Sequence, residues 1–335
     1  MKLVEISKGS NNNLNIIRLL AAYMVIFGHS FSLTDSGLDY VKRVSGEQTS
    51  FGDLAVSIFF FLGGFLVLKS ANNKQAFKPY FKARCKRIFP ELWLVVLFSV
   101  FIVGPLFTNM PIVEYFTDLK TYKYLLNGIF VLIHNLPGVF LNNKYNPTVN
   151  GALWTLPVEF MCYFACYVFY KLFYLKKKRI VFTVPLVLCI YIGVLLLNNT
   201  SLVFIIRPVV FFYVGMLFYT YRESITINIG LFVASIGLTA LSMIFGGYSI
   251  ISLVCFSYII TYLGFGTKHK ISFSFFGLDI TYGIYLTGFV VQQCLCSLIP
   301  DISQFCNFIY ALILATALAM VLSVADKKLT GMVFK

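Results

Sequence analysis

Hydrophobic residues dominate this chain in long runs, which short polar or basic segments separate. A helix needs about 20 apolar residues to cross the core of a bilayer, and such runs are typical of transmembrane helices. We therefore predict an all-α integral membrane protein with about ten transmembrane helices. The predicted spans are 14–33, 54–68, 92–107, 153–174, 180–197, 203–221, 227–244, 249–265, 273–298 and 305–324.

One further apolar segment, residues 122–136, is short for a crossing. Segments of about this length are often re-entrant or interfacial. Basic residues follow the span 153–174 and place its end inside, whereas the span 92–107 already ends outside. An even number of crossings must separate these two spans, and none is the simplest solution. We predict that residues 122–136 are re-entrant or interfacial.

Lysine and arginine concentrate between alternate spans, and the densest cluster lies between the second and third spans. Its members are Lys69, Lys74, Lys78, Lys82, Arg84, Lys86 and Arg87. Loops with such an excess stay in the cytoplasm. We therefore predict a cytoplasmic N-terminal tail (1–13), a single membrane domain (14–324) and a cytoplasmic C-terminal tail (325–335). The N-terminal tail is expected to be disordered.

The overall composition agrees with a polytopic membrane protein and excludes a pair of soluble domains. The chain is 59% hydrophobic and only 12% charged. Its net charge of +14 follows the topology pattern, so we expect the lipid bilayer rather than nucleic acid as a partner. The eight cysteines lie mostly within apolar runs and lack metal-ligand spacings, so no metal site is predicted.

Two ionisable residues lie within the first span, where such groups usually mark a function. Arg18 and His29 are eleven residues apart, which is about 1100° of helical rotation and about 16 Å of rise. They therefore share one helix face. A neutral imidazole can accept a proton near neutral pH, which favours His29 as a catalytic group. The alternative is a histidine that only bonds neighbouring helices; His134 and His269 are weaker candidates.

Three more charged residues fall within predicted spans. By depth, Glu159 and Arg207 belong with His29 near the outer surface, and Asp279 belongs with Arg18 near the inner surface. Buried charges need partners, so we infer two polar layers. The alternative to a functional role is that Glu159 pairs with Arg207, and Arg18 with Asp279, only to hold helices together.

Arg84 and Arg87 are three residues apart at the inner end of the third span, so they share a helix face. Two guanidinium groups on one face suit phosphate recognition. Taken alone, their charge is also explained by cytoplasmic topology.

Together these motifs resemble the acyltransferase 3 family of integral-membrane acyltransferases over nearly the whole chain. Arg18 and His29 match its arginine and histidine, and FFFLGGFLV at 59–67 is similar to its FF-x-x-SGF/Y-L element, with Gly63 in place of serine. The other elements are YFKARCKRIFPELW (80–93), NGALWTLPVEF (150–160) and TYGIYL (281–286). Gly288 stands where a late family element often has histidine, so that histidine's role falls to another residue or is absent.

The resemblance implies a bacterial inner-membrane O-acyltransferase that uses acyl-CoA, most often acetyl-CoA, and keeps no permanently bound cofactor. It implies that Arg84 and Arg87 hold the donor. His29, Arg18 and Glu159 would form the catalytic group, and Trp154 and Arg207 would bind the acceptor. The acceptor would be a glycan or lipid-linked sugar of lipopolysaccharide, capsule or exopolysaccharide. His29 would act as a general base or carry the acetyl group transiently. The rival hypothesis is a glycan-lipid flippase or another transporter.

Overall fold

The structure is a computed structural model that describes residues 1–9, 12–197, 199–271 and 279–333. The described residues form helices and connecting segments, with two isolated β-bridges and no strand. The principal helices are α1 (Leu14–Leu33), α2 (Phe51–Lys74), α3 (Phe77–Phe98), α4 (Thr155–Leu172), α5 (Ile180–Leu196), α6 (Thr200–Thr220), α7 (Ile229–Phe245), α8 (Tyr248–Thr261), α9 (Thr281–Leu298) and α10 (Gln304–Val333).

Each of the ten predicted spans coincides with one of these helices in the described part of the chain. Seven helical segments there are long and apolar enough to cross a membrane, and two shorter apolar helices accompany them. The all-α integral membrane fold is therefore confirmed, whereas the topology stays a prediction. The start of the span predicted at 273 lies outside the described residues, and its helix, α9, begins at Thr281.

Helix ends differ from the hydrophobic runs in the basic region between the second and third spans. α2 continues to Lys74, and α3 begins at Phe77, so the basic residues are mostly helical. A π-turn (Ser99–Val103) and a final turn (Gly104–Phe107) extend α3 to its predicted end. Hydrophobicity marks where a helix enters lipid rather than where its backbone hydrogen bonds begin, which explains the longer helices.

The short apolar segment 122–136 contains no helix long enough to cross a membrane. A turn of helix (Leu119–Lys123) leads into a 3-10 helix (Tyr124–Ile129), and Asn127 then closes the turn by accepting from the backbone N–H of Ile133. This agrees with a segment that does not span the membrane.

The expectation of a disordered N-terminal tail is wrong for its first residues. Leu3–Ile6 form a short helix, and the N–H of Leu3 donates to the carbonyl of Ile225.

The chain divides into two compact units. The first unit comprises Met1–Ala21, Tyr40–Lys82 and Val158–Phe273, and the second comprises Ala22–Asp39, Ala83–Pro157 and Ser274–Lys335. The prediction of one membrane domain over 14–324 stays a prediction.

In the first unit, α2 and α6 pack with their backbones in close contact. A Cβ atom added at Gly64 would overlap the backbone carbonyl of Phe212, and one added at Gly215 would overlap that of Phe61. Small residues at such a crossing let membrane helices approach closely, because lipid supplies little hydrophobic drive for association. The glycines of the FFFLGGFLV motif therefore belong to a helix contact.

Replacing Gly64 with alanine is expected to destabilise the protein by about 1–3 kcal/mol, because the rigid carbonyl opposite must move. Gly63→Ala is the matched control. A Cβ there meets only the Phe212 ring at 3.4 Å, which is ordinary contact. The melting temperatures of both detergent-solubilised variants, compared with that of the wild type, measure the two effects. Equal melting temperatures for the two variants would contradict the packing assigned to Gly64.

In the second unit, α9 packs against α10 through small side chains. A Cβ at Gly283 would lie 2.9 Å from the Cβ of Ala319. Ala311, Ala315 and Ala319 follow one another at four-residue intervals on α10 and are fully buried. Nearly all of α9 from Thr281 to Gln293 is also buried, so α9 is the central helix of this unit.

Candidate active site

His29 lies in α1, one turn before the end of that helix. Its ring stands edge-on to Phe289 of α9, with ring centroids 5.1 Å apart and an interplanar angle of 81°. The Nδ1 atom is buried and has no hydrogen-bond partner in the described part of the chain. Because Nδ1 is buried, Nε2 is the ring nitrogen that we take as the candidate reacting atom of His29.

Phe289 also contacts the element that contains Trp154. The 3-10 helix Gly151–Trp154 begins against Phe289, since a Cβ at Gly151 would lie 2.8 Å from that ring. The amide of Asn150 donates to the carbonyl of Leu286 at 2.8 Å, which ties the start of this element to α9. The predicted motif at 150–160 is therefore anchored beside the residue that contacts His29.

Arg87 lies in α3 and is paired at the start of α9. Its guanidinium is 3.2 Å from the carboxylate of Asp279 and lies over the ring of Tyr282, 5.2 Å from the centroid. The sequence suggested Arg18 as the ion-pair partner of Asp279. In the structure, Asp279 pairs with Arg87. Arg84 is also in α3, one turn earlier, as the predicted shared face requires.

Glu91 is an ionisable residue that the sequence reasoning missed as a site candidate. It follows Arg87 by one helical turn and is 5% exposed. The hydroxyl of Ser323 donates to its Oε1 at 3.1 Å, whereas Oε2 is buried and has no partner among the described residues. An acid within an apolar span was the available signal. Arg87, a predicted donor-binding residue, therefore lies close to two acids, Asp279 and Glu91.

Three residues of α9 place these features along one face. Tyr282, Phe289 and Cys296 follow at seven-residue intervals, which rotate by about 700° and rise by about 10 Å each. Tyr282 contacts Arg87, Phe289 contacts His29, and Cys296 lines a cavity of about 570 Å³ at the far end. His29 thus contacts α9 midway between an ionic cluster and a cavity.

Two adjacent glutamines of α9 bond this helix to α1, α10 and the segment that contains Thr148. They were not singled out from the sequence. Gln292 donates to the carbonyl of Ile26 in α1 and to Asn307 in α10, both at 2.9 Å. Gln293 donates to the carbonyl of Thr148 at 2.8 Å. Both glutamines are fully buried, and such side chains bond membrane helices to one another. A pair of amides inside a predicted span was the signal for this network.

Gly288 occupies the position where the resemblance expects a histidine. A Cβ there would lie 2.7 Å from the side chain of Ile26. Contact between α1 and α9 therefore fills the space that a larger residue would need. His29, one turn beyond Ile26, is the histidine present at this contact.

The structure divides the predicted site residues between the two units. The first unit holds Arg18, Glu159 and Arg207, and the second holds His29, Arg84, Arg87 and Trp154. α1 is one unbroken helix, which the predicted shared face of Arg18 and His29 requires.

Arg207 and Glu159 do not form the ion pair that the sequence offered. Within the described residues, Arg207 lies 4.0 Å from Asp53, donates to Ser249 at 3.2 Å and faces the ring of Tyr248. Glu159 instead accepts from the hydroxyl of Tyr163, one turn later on α4. Pairing depends on which helices are neighbours, and depth alone does not determine that.

Arg207 borders a cavity of about 400 Å³ in the first unit. It is 8% exposed, and its Nε is buried without a hydrogen-bond partner in the described part of the chain. Asp53, Phe204 and Thr200 line the same cavity. A buried cation, a carboxylate, a ring and a hydroxyl together suit a polar ligand.

Comparisons with known proteins agree with the motifs. A family model described as an acyltransferase domain matches residues 11–325. The chain is similar to an O-acetyl transferase of Shigella phage Sf6, with 31% identity over 46% of this chain and 44% of that protein. It is also similar to nodulation protein 10 of Rhizobium leguminosarum bv. viciae, with 29% identity over 48% of this chain and 44% of that protein. The matched region thus spans less than half the length of these relatives. No solved structure matches significantly.

Proposed function

The chain belongs to the acyltransferase 3 family, and from this premise we propose that it is a membrane O-acyltransferase that acetylates a glycan. The donor is cytoplasmic acetyl-CoA, and the acceptor is a hydroxyl of a cell-surface or lipid-linked glycan in a bacterial inner membrane. The observation that carries the proposal is the alignment of Arg87, His29 and the far cavity along one face of α9. The Shigella phage relative, named an O-acetyl transferase, supports the acetyl group.

The donor end of the site is the start of α9. The phosphates of acetyl-CoA bind Arg84 and Arg87, since guanidinium groups suit phosphate oxygens. Arg87 is paired with Asp279 at 3.2 Å, so donor binding exchanges a carboxylate for a phosphate. The pantetheine arm then follows α9 toward Phe289, which brings the thioester to His29.

His29 acts through Nε2 because Nδ1 is buried. As a general base, Nε2 takes the proton of the acceptor hydroxyl while the hydroxyl oxygen attacks the carbonyl carbon of the acetyl group. The carbon–sulfur bond then breaks, and the CoA thiolate takes up the proton. As a nucleophile, Nε2 attacks the thioester carbonyl and releases the CoA thiolate; the acceptor hydroxyl then takes the acetyl group from Nε2, and its proton goes to the thiolate. Trp154, in the same unit as His29, offers a flat face to a sugar ring.

Arg207 contributes to acceptor binding through the cavity in the first unit. Replacing it with methionine is expected to raise the acceptor KM about tenfold, because a charged hydrogen bond contributes about 1.5–3 kcal/mol. The melting temperature should change little, since the ion pair is long at 4.0 Å and Asp53 keeps its bond to Ser50. Arg179→Met, at an exposed position, is the control. An unchanged acceptor KM would leave Arg207 with a structural role only.

The proposed function is tested with membranes that contain the protein, labelled acetyl-CoA and the host's cell-surface polysaccharide. Label should appear in base-labile esters of the glycan, together with released CoA. A transporter would require no acetyl-CoA. The absence of both transfer and CoA release with well-folded protein would therefore contradict the proposal.

A further inference from the structure

The cavity at the far end of α9, here called the α9-end cavity, has a volume of about 570 Å³. This lies within the usual range of small-molecule sites, about 300–1,000 Å³. Its polar walls come from four segments of the second unit. Those used below are Asn109, Asn142, Asn143, Lys144 and Asp301.

We propose that the α9-end cavity binds an uncharged sugar unit of the acceptor glycan. This inference rests on the proposed function and adds to it a subsite and a class of sugar.

The asparagine side chains provide the hydrogen bonding. Each amide both donates and accepts, as a sugar hydroxyl does. Asn109 and Asn142 are exposed, and their side chains form no hydrogen bond within the described residues. Asn143 is held rigidly, since it donates to Gln293 and accepts from Ser297, both at 2.8 Å. The wall thus combines one fixed amide with two that are available to a ligand.

The charges of the cavity favour a neutral ligand. Lys144 and Asp301 are the charged residues of its described lining, and their side chains are 2.8 Å apart. This contact raises the pKa of Lys144 and lowers the pKa of Asp301, so both remain charged and compensate each other. A glycan carboxylate would have to compete with Asp301 for Lys144, whereas a hydroxyl would not.

The position of the cavity agrees with transfer at His29. Leu33 lines the cavity and follows His29 by one turn of α1, about 6 Å along the helix axis. Cys296 lines the same cavity and follows Phe289 by about 10 Å along α9. Two helices therefore lead from the histidine contact to this cavity. A sugar held there can present a hydroxyl toward Nε2.

The first test measures kinetics of the Asn109→Ala/Asn142→Ala double variant with the host polysaccharide after mild base treatment. We expect the acceptor KM to rise about tenfold or more, with the acetyl-CoA KM unchanged. Asn73→Ala, an exposed asparagine elsewhere, is the control. If the wild type transfers acetyl groups and the double variant keeps its acceptor KM, this inference is overturned and the enzyme function stands. If the wild type transfers nothing, the proposed function itself fails.

A second test uses the charges. Asp301→Asn should free Lys144 and shift the preference about tenfold toward a uronate-containing polysaccharide over a neutral one. Adding Lys144→Gln should abolish that shift. An unchanged preference in Asp301→Asn would overturn the neutral-sugar assignment.

A binding test does not depend on turnover. The Asn142→Cys variant should react with a membrane-impermeant maleimide above the background of the native cysteines. The base-treated polysaccharide should slow that labelling. Labelling that the polysaccharide leaves unchanged would overturn the subsite.

Discussion

Replacing His29 with alanine is expected to lower acetyl transfer by a factor of about 10²–10⁴, the usual contribution of a positioned general acid or base. The physical reason is that His29 contacts Phe289 of α9 and its Nδ1 is buried, so Nε2 is the proposed reacting nitrogen. The measurement is the rate of label transfer from acetyl-CoA to glycan, at matched protein levels in membranes. Retention of the wild-type rate would make His29 a structural residue.

His134→Ala provides the matched control for that experiment, because His134 is exposed. Its rate should stay near wild type. The same membranes distinguish the two mechanisms. Without acceptor, an acetyl-histidine mechanism leaves label on the wild-type protein and not on His29→Ala. A general-base mechanism leaves neither protein labelled.

Replacing Arg87 with glutamine is expected to raise the acetyl-CoA KM about 10–100-fold, the value of one lost charged hydrogen-bond pair of about 1.5–3 kcal/mol. The loss should be large because Asp279 stays nearby and repels phosphate once the cation is gone. The maximal rate at saturating donor should change less, since Arg87 binds the nucleotide end rather than the thioester.

Two comparisons make the Arg87 experiment specific. Lys82→Gln removes a basic residue from the same segment at an exposed position and should leave the donor KM near wild type. Arg87→Lys keeps the charge and loses the planar fork, so it should restore binding in part. A donor KM that is equal in Arg87→Gln and Lys82→Gln would show that the region contributes only general positive charge.

The helices were predictable because the signal for them is local. In lipid every backbone polar group must be bonded within the segment, so a long apolar run leads to a helix. The interval between Arg18 and His29 is local for the same reason, since it depends only on helical rise and rotation. The shared helix face of Arg84 and Arg87 follows from the same geometry.

Charge partners were not predictable, because they depend on which helices become neighbours. Depth grouped Glu159 with Arg207, whereas Arg207 lies beside Asp53, and Glu159 accepts from Tyr163 within α4. Asp279 pairs with Arg87 because the start of α9 lies against α3. The comparison of motifs shows that Gly288 stands in place of a histidine. The contact with Ile26 explains why only a small residue fits at this position.

The sequence alone determined that this is an all-α membrane protein, with Arg18 and His29 on one helix face and a basic segment before the third span. Tertiary structure alone decided that the Arg87–Asp279 ion pair, His29 and a polar cavity lie one after another along α9. It also revealed the roles of Glu91, Gln292 and Gln293. The reason is physical: hydropathy and helical geometry act along the chain, whereas partners and cavities arise where distant segments pack together.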